Sequence, residues 1–225
     1  AAFGAGTEYG SGNFIVYNGS GSSVDVSDLM GGMTYYFTVF EYNCLPGNED
    51  YFVNEFVLTG SETTLLANVE NLDASCITNT TVTLTWDAPL GSFEGILVTV
   101  REGAVPHQPT CADGSTYTAP NTDFTLAPTY CATTSVYVYN GTGNTVTITN
   151  LTNTSSYTFK VFTYQGSDWS DGTQSTHTVD LFNVTNENAT RGNAEVDISW
   201  TNPMNCYDEV MVVAHEAGSV TSVPA

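Results

Sequence analysis

Apolar and polar residues alternate along several short segments of the chain. In one of them, Val82, Leu84 and Trp86 are separated by threonines. Every second position is again apolar in residues 96–101, 145–149 and 157–161. A period of two is typical of a β-strand with one buried face, and the β-branched Val and Thr side chains favour strands over helices. We therefore predict half-buried strands and no helix.

Clusters of glycine and asparagine separate these alternating segments. The sequence Asn18-Gly19-Ser20-Gly21 recurs as Asn140-Gly141-Thr142-Gly143. Such clusters are typical of hairpin turns in which the glycines adopt a positive φ. We predict a tight turn of this kind at both places.

The chain contains an internal repeat. Residues 16–42 match residues 138–164 without a gap, 122 positions apart, and residues 82–102 match residues 196–216, 114 positions apart. The two matches cover different halves of one repeating structure, so we expect one complete unit between two partial ones. We call them the first unit (residues 1–65), the central unit (66–180) and the last unit (181–225).

About seven short strands in the central unit point to a two-layer β-sandwich, which makes the chain an all-β protein. Two of its motifs, Leu151 followed by Tyr157 and a Trp86 that precedes a proline, resemble those of the fibronectin type III family. The equivalent residues in the other units are Leu29, Tyr35 and Trp200. The resemblance implies tandem immunoglobulin-like sandwiches, in which the tryptophan packs in the core and the tyrosine makes a corner hydrogen bond. More narrowly, the sequence is similar to repeats of large secreted and cell-surface proteins of Bacteroidota.

The charge balance excludes some classes of partner. The chain has 24 acidic residues against 3 lysines and arginines, a formal net charge of -21. Nucleic-acid binding and attachment to anionic membranes both need clustered basic residues, so we expect neither. No apolar run approaches the length of a membrane span, and we expect no membrane insertion.

The five cysteines predict disulfides in an oxidising, extracellular setting. Cys111 and Cys131 lie in one long loop and are candidates for a local bond. Cys44 and Cys206 would meet only in a composite sandwich built from two subunits, while Cys76 competes for Cys111 or Cys131. The alternative is that all five are small buried residues.

The sequence contains no arrangement typical of a catalytic or zinc site, and we expect a non-enzymatic protein without a cofactor. Acidic loop residues, among them Asp168 and Asp171, are candidate calcium ligands, although surface turns explain them better. Trp169 and Tyr51 occupy the corresponding loops of successive units. They are candidates for contact with a partner or a glycan, or for packing against a neighbouring domain.

We therefore expect a structural or adhesive repeat segment of a secreted or cell-surface protein. Its partners are then neighbouring repeats or identical subunits, with glycans as a further possibility. Two interpretations of the partial units remain open: a window of a longer array, or a filament in which subunits donate strands to one another. The alternative function is an accessory module of a secreted polysaccharide-degrading enzyme.

Overall fold

The computed structural model describes residues 1–43, 50–51, 57–75, 77–180, 184–202, 209–216 and 218–220. Cys44, Cys76 and Cys206 lie outside these residues, so their predicted pairings stay predictions. The strands of the described part are β1 (Thr34–Val39), β2 (Tyr42–Asn43), β3 (Asp50–Tyr51), β4 (Leu58–Thr63), β5 (Glu70–Ser75), β6 (Val82–Asp87), β7 (Gly95–Glu102), β8 (Val136–Gly141), β9 (Thr145–Ile148), β10 (Ser156–Gln165), β11 (Asp168–Trp169), β12 (Thr173–Thr178), β13 (Thr185–Arg191) and β14 (Val196–Thr201). The described residues contain a single short 3-10 helix, Gly114–Thr116.

The central unit is a β-sandwich of two antiparallel sheets. The smaller sheet has the order β5-β6-β9. In the larger sheet β10 pairs with β7, β11 and β12, and β7 also pairs with β8. Apolar residues of both sheets meet in one core, in which Trp86 and Tyr157 are buried. The prediction of an all-β fold with a two-layer sandwich is confirmed.

The alternation read from the sequence holds on the smaller sheet. Val82, Leu84 and Trp86 of β6 are buried, whereas Thr83 and Thr85 face outward. Thr83 lies opposite Thr147 of β9, and their hydroxyl oxygens are 2.8 Å apart. One face of this sheet is therefore apolar, and the other is lined by threonines that bond across the strands.

The larger sheet departs from the prediction of half-buried strands. In β7 both Ile96 and its neighbour Leu97 have no exposed surface, and Thr99 is buried as well. A second apolar cluster covers the outer face of β7 and includes Leu97 and Tyr137. The prediction was wrong for this strand because the residues that cover its outer side come from a distant loop, which strand periodicity does not reveal.

The predicted positive φ of the turn glycines is also wrong. Gly141 and Gly143 are not among the described glycines that have positive φ. Instead the Gly143 amide donates a hydrogen bond to the Tyr139 hydroxyl at 2.6 Å, and a Cβ on either glycine would lie 2.8 Å from that oxygen. The side chain of Tyr139, not the backbone dihedral, accounts for glycine at these positions.

The first unit repeats local contacts of the central unit. The Met30 amide donates to the Tyr35 hydroxyl at 2.9 Å, and the Thr152 amide donates to the Tyr157 hydroxyl at the same distance. The ring centroids of Phe3 and Tyr35 are 5.1 Å apart, close to the 5.0 Å between Phe124 and Tyr157. Strands β1 and β4 pair as β10 and β12 do. The matching segments of the repeat thus form similar local contacts. The boundaries of the units stay a prediction.

Candidate functional site

Residues 103–135, which we call the cover loop, connect β7 to β8 and lie over the outer face of the larger sheet. Tyr117 and Tyr130 of the loop are buried in one cluster with Leu97 and Tyr137 of the sheet. The ring centroids of Tyr117 and Tyr137 are 5.3 Å apart, in an edge-to-face arrangement. The sandwich therefore carries a third layer on one side. The sequence does not predict the burial of these residues, because isolated tyrosines in an irregular loop follow no period.

The phenol groups of this cluster are used as hydrogen-bond donors. Tyr117 donates to the Pro109 carbonyl at 2.9 Å and Tyr130 to the His107 carbonyl at 2.5 Å. Tyr137, on β8, donates to the Thr118 carbonyl at 2.8 Å. Each bond satisfies a carbonyl of the irregular loop, which holds the loop against the sheet.

Burial also raises the pKa of the two loop phenols, Tyr117 and Tyr130. It raises the pKa of Tyr117 to about 12, with smaller contributions from the neighbouring phenols of Tyr130 and Tyr137. Burial likewise raises the pKa of Tyr130, and that of Tyr164 on β10. Protonated phenols at neutral pH serve as donors and packing surfaces, not as general bases.

A disulfide closes the cover loop. Cys111 and Cys131 are bonded; their Cα atoms are 5.5 Å apart and the residues are separated by 20 in sequence number. The Tyr117 hydroxyl oxygen lies 3.4 Å from the Cys111 sulfur, beside the bond. Cross-linking a loop of this length contributes about 3 kcal/mol by reducing the entropy of the unfolded chain.

Trp169, a candidate for contact with a partner or a glycan, lies beneath the cover loop and packs against the tyrosine cluster. Its ring centroid is 5.6 Å from that of Tyr117 and 5.2 Å from that of Tyr164. Its indole N–H donates to the Ala112 carbonyl at 3.2 Å. The side chain is half-buried, so its principal contacts are internal to the unit.

Tyr51 occupies the equivalent position in the first unit. It lies opposite Tyr42 across the β2–β3 hairpin, with ring centroids 5.3 Å apart, as Trp169 lies opposite Tyr164 across β10 and β11. Tyr51 is 52% exposed. The equivalent aromatic pairs thus differ: the pair in the central unit is covered by a loop, and the pair in the described part of the first unit is exposed to solvent.

The other signature residues are buried to different extents in the three units. Leu151 is 3% exposed and Tyr157 is fully buried. Their equivalents Leu29 and Tyr35, and Trp200 in the last unit, are only half-buried. The indole N–H of Trp200 donates to the Asn202 side-chain oxygen at 2.8 Å. Among the described residues, the signature positions are therefore most deeply buried in the central unit.

The described residues contain no group of three or more His, Cys, Asp or Glu side chains arranged to hold a metal ion. Asp113 and Asp123 instead accept hydrogen bonds from Ser115 and Thr125, and these bonds lower the pKa of both carboxyl groups. Such local bonds are typical of turns. Within the described part of the chain, no helix has the length and apolarity needed to cross a membrane.

The arrangement of the sheets agrees with a family match. Residues 67–178 match the family model described as Fibronectin type III domain. This segment is a fibronectin type III domain. Domains of this family are generic structural or adhesive modules and are generally non-catalytic. The Tyr157 bond to the Thr152 amide is the tyrosine corner that the resemblance implied.

Solved structures of fibronectin type III domains are among those similar to this chain. One such domain of human collagen XX is 18% identical and has a TM-score of 0.34, over 50% of this chain and 91% of that chain. A segment of two such domains from chicken tenascin is 15% identical and has a TM-score of 0.36, over 61% and 64% respectively. No curated protein sequence matches the chain.

Proposed function

We propose that this chain is a structural, adhesive segment of an extracellular or cell-surface protein, in which fibronectin type III units act as spacers and contact modules. The observation that carries the proposal is the disulfide between Cys111 and Cys131. It closes the loop over the tyrosine cluster, and such bonds persist in oxidising compartments. Membership of the large secreted and surface proteins of Bacteroidota, which the sequence resemblance implies, is part of this proposal.

The acidic surface fits this setting. A formal net charge of -21 keeps the chain soluble through self-repulsion, and salt outside the cell screens that repulsion. The fibronectin type III domain of residues 67–178 buries its own core, as a load-bearing spacer requires. Adhesion would then involve its surface, and the core would provide mechanical resistance.

Antibodies against residues 67–178 test the location on intact cells of the source organism. We expect labelling without permeabilisation, and its loss after brief protease treatment of whole cells. Staining that requires permeabilisation would contradict the proposal. Alkylation of free thiols at the moment of lysis gives an independent readout, since Cys111 and Cys131 should be unreactive.

A filament built by strand donation is a second candidate, favoured by exposed apolar residues. Val196 and Ile198 of β14 are 59% and 49% exposed, whereas the equivalent Val82 and Leu84 are fully buried. A sheet with an open apolar face needs an opposing layer. Further residues of the same protein or a second copy of the chain would supply it.

The central unit predicts the register of such a contact. Leu84 lies opposite Val146, and the equivalent residues are Ile198 and Val24. Strand donation therefore places Ile198 of one subunit opposite Val24 of the next. Light scattering over a concentration series should show masses that rise in steps of 24.1 kDa.

Ile198→Asp should abolish these steps, whereas Asp197→Asn, on the opposite face of the strand, should keep them. A monomer at every concentration would exclude the filament and leave the spacer function intact. A ladder of covalent oligomers on non-reducing gels would support the predicted bond between Cys44 and Cys206.

The accessory role in a polysaccharide-degrading enzyme is supported by the open Tyr42 and Tyr51 rings. Exposed ring faces stack on sugars, so this role predicts glycan binding that Tyr51→Ala removes while the fold is kept. Trp169→Ala is a poorer probe, since its indole holds the cover loop. A glycan array without any signal would argue against this role.

A further inference from the structure

The first unit and the fibronectin type III domain meet through backbone atoms. The Ser92 amide donates to the Gly31 carbonyl at 3.0 Å. Gly31 and Gly91 form a parallel β-bridge, 60 positions apart in sequence. Neither strand β1 nor β7 takes part, so the contact joins loops of two consecutive units.

This contact leaves no room for side chains. A Cβ on Gly91 would lie 2.1 Å from the Gly31 carbonyl oxygen, and a Cβ on Gly31 would lie 2.5 Å from the Ala67 amide nitrogen. A Cβ on Gly32 would lie 2.3 Å from the Ser92 carbonyl oxygen. Because the obstacles are backbone atoms, the loops would have to separate to admit any other residue.

The internal repeat shows that the neighbour, not the local backbone, accounts for Gly32. The equivalent residue in the central unit is Thr154, and the two φ angles are 67° and 65°. Both amides donate to the segment that follows the last strand of their unit, Gly32 to Thr64 and Thr154 to Val179. A residue with a side chain can therefore adopt this backbone conformation. Glycine is required at position 32 because the Ser92 carbonyl oxygen occupies the space of a Cβ atom.

The connection between the units is bonded on both sides. Thr64 donates its amide to the Met33 carbonyl of the first unit at 3.0 Å. On the other side, the Thr163 hydroxyl donates to the Ala67 carbonyl at 2.6 Å, and the Gly172 amide donates to the Asn68 side chain at 2.7 Å. Only two residues separate these anchors, which leaves no flexible linker.

We propose that residues 30–33, 64–69 and 90–92 form a fixed joint that holds the first unit and the fibronectin type III domain at one angle. Consecutive domains with small interfaces move independently by default. Here backbone bonds, close glycine contacts and a bonded connection oppose that motion together. The inference does not depend on where the protein is located or on what it binds.

Residual dipolar couplings of the full chain test the joint, because they report whether two parts share one orientation. We expect the couplings of residues 1–43 and of residues 77–180 to fit a single alignment tensor in the unaltered protein. In Gly32→Ala they should require two tensors, and the Ser92 amide should lose its protection from hydrogen exchange.

Gly103→Ala is the matched control. Gly103 has a φ of 68°, nearly that of Gly32, but a Cβ there would meet nothing within 4 Å. Both substitutions therefore carry the same backbone strain, and only one of them obstructs the joint. Gly31→Ala and Gly60→Ala form a second pair, neither with positive φ, of which only Gly31 is obstructed.

A chemical shift of the Thr152 amide that stays constant shows that the domain itself remains folded in each variant. Two tensors in the unaltered protein would overturn the fixed joint. A single tensor in both Gly32→Ala and Gly31→Ala would overturn the part assigned to the glycines. The proposal is supported if the couplings require two alignment tensors in Gly32→Ala and Gly31→Ala. In the controls Gly103→Ala and Gly60→Ala they should still fit one tensor.

Discussion

Tyr157 shows at the scale of one residue how a polar side chain can be buried while its hydroxyl group keeps a hydrogen-bond partner. Its ring packs in the core, where it has no exposed surface, and its hydroxyl oxygen accepts a hydrogen bond from the Thr152 amide. The bond satisfies a backbone donor at the entry to β10. A phenylalanine would keep the packing and leave that amide without its partner.

We predict that Tyr157→Phe lowers the free energy of unfolding by about 1 kcal/mol, the usual contribution of one hydrogen bond, because this bond is partly buried. Urea denaturation followed by fluorescence measures the loss. Tyr139→Phe is the control: it removes a similar bond to Gly143 at an exposed site, where water replaces the hydroxyl. Equal losses in both variants would contradict the assignment of the cost to burial.

His177 on β12 is expected to make stability depend on pH. Burial lowers its pKa, and the Asp73 carboxylate opposes that shift only in part. Its Nε2 atom lies 2.5 Å from the Ser175 hydroxyl oxygen. A histidine in the unfolded chain has a pKa of about 6.5, so below that pH the unfolded chain takes up the proton first.

The free energy of unfolding should therefore fall as the pH drops through about 6.5, and level off below the lowered pKa of the folded state. His177→Gln should remove this part of the fall, because glutamine does not titrate. His215→Gln, at an exposed position, should keep it. An unchanged pH profile in His177→Gln would refute the prediction.

At the scale of elements, the position of the cover loop is the feature that the sequence predicts least. Strand β7 reads as a half-buried strand, yet Leu97 is buried by tyrosines that lie 20 or more positions away in sequence. The loop has no regular structure beyond one short 3-10 helix among its described residues. Its order depends on carbonyls satisfied by phenols and on the disulfide.

We predict that replacing both Cys111 and Cys131 by alanine lowers the free energy of unfolding by about 3 kcal/mol. Hydrogen exchange should rise across residues 103–135 and at Leu97, but not at Leu84 in the other sheet. The pKa of Tyr117 should fall from about 12 towards its ordinary value as water enters, which ultraviolet titration follows. The reduced wild-type protein serves as the control and should behave alike; an unchanged Tyr117 titration in both would show that the loop does not need the bond.

At the scale of the whole molecule, the dominant feature is its excess of negative charge. Of 225 residues, 24 are acidic and only 3 are lysine or arginine, so most carboxylates have no basic partner within reach. Self-repulsion opposes the compact state and is reduced by salt.

We predict that the midpoint of thermal unfolding rises when salt increases from about 10 mM to about 150 mM, since the screening length shrinks from about 30 Å to about 8 Å. Sodium and potassium chloride should act equally, because screening depends on ionic strength. A fall in the midpoint would contradict the importance of repulsion, and a much larger effect of calcium at equal ionic strength would indicate a specific site.

The residue pattern alone determined the strands of the sandwich, the recurrence of the unit and the burial of Trp86 and Tyr157. These features depend on local periodicity and on equal sequence producing equal local contacts, as the Tyr35 and Tyr157 bonds show. Only the tertiary structure decided that the cover loop adds a third layer, that Trp169 lies beneath it, and that Gly31 and Gly32 face Ser92. Those outcomes depend on contacts between residues far apart in the chain, which carry no period and appear only once the sheets have brought them together.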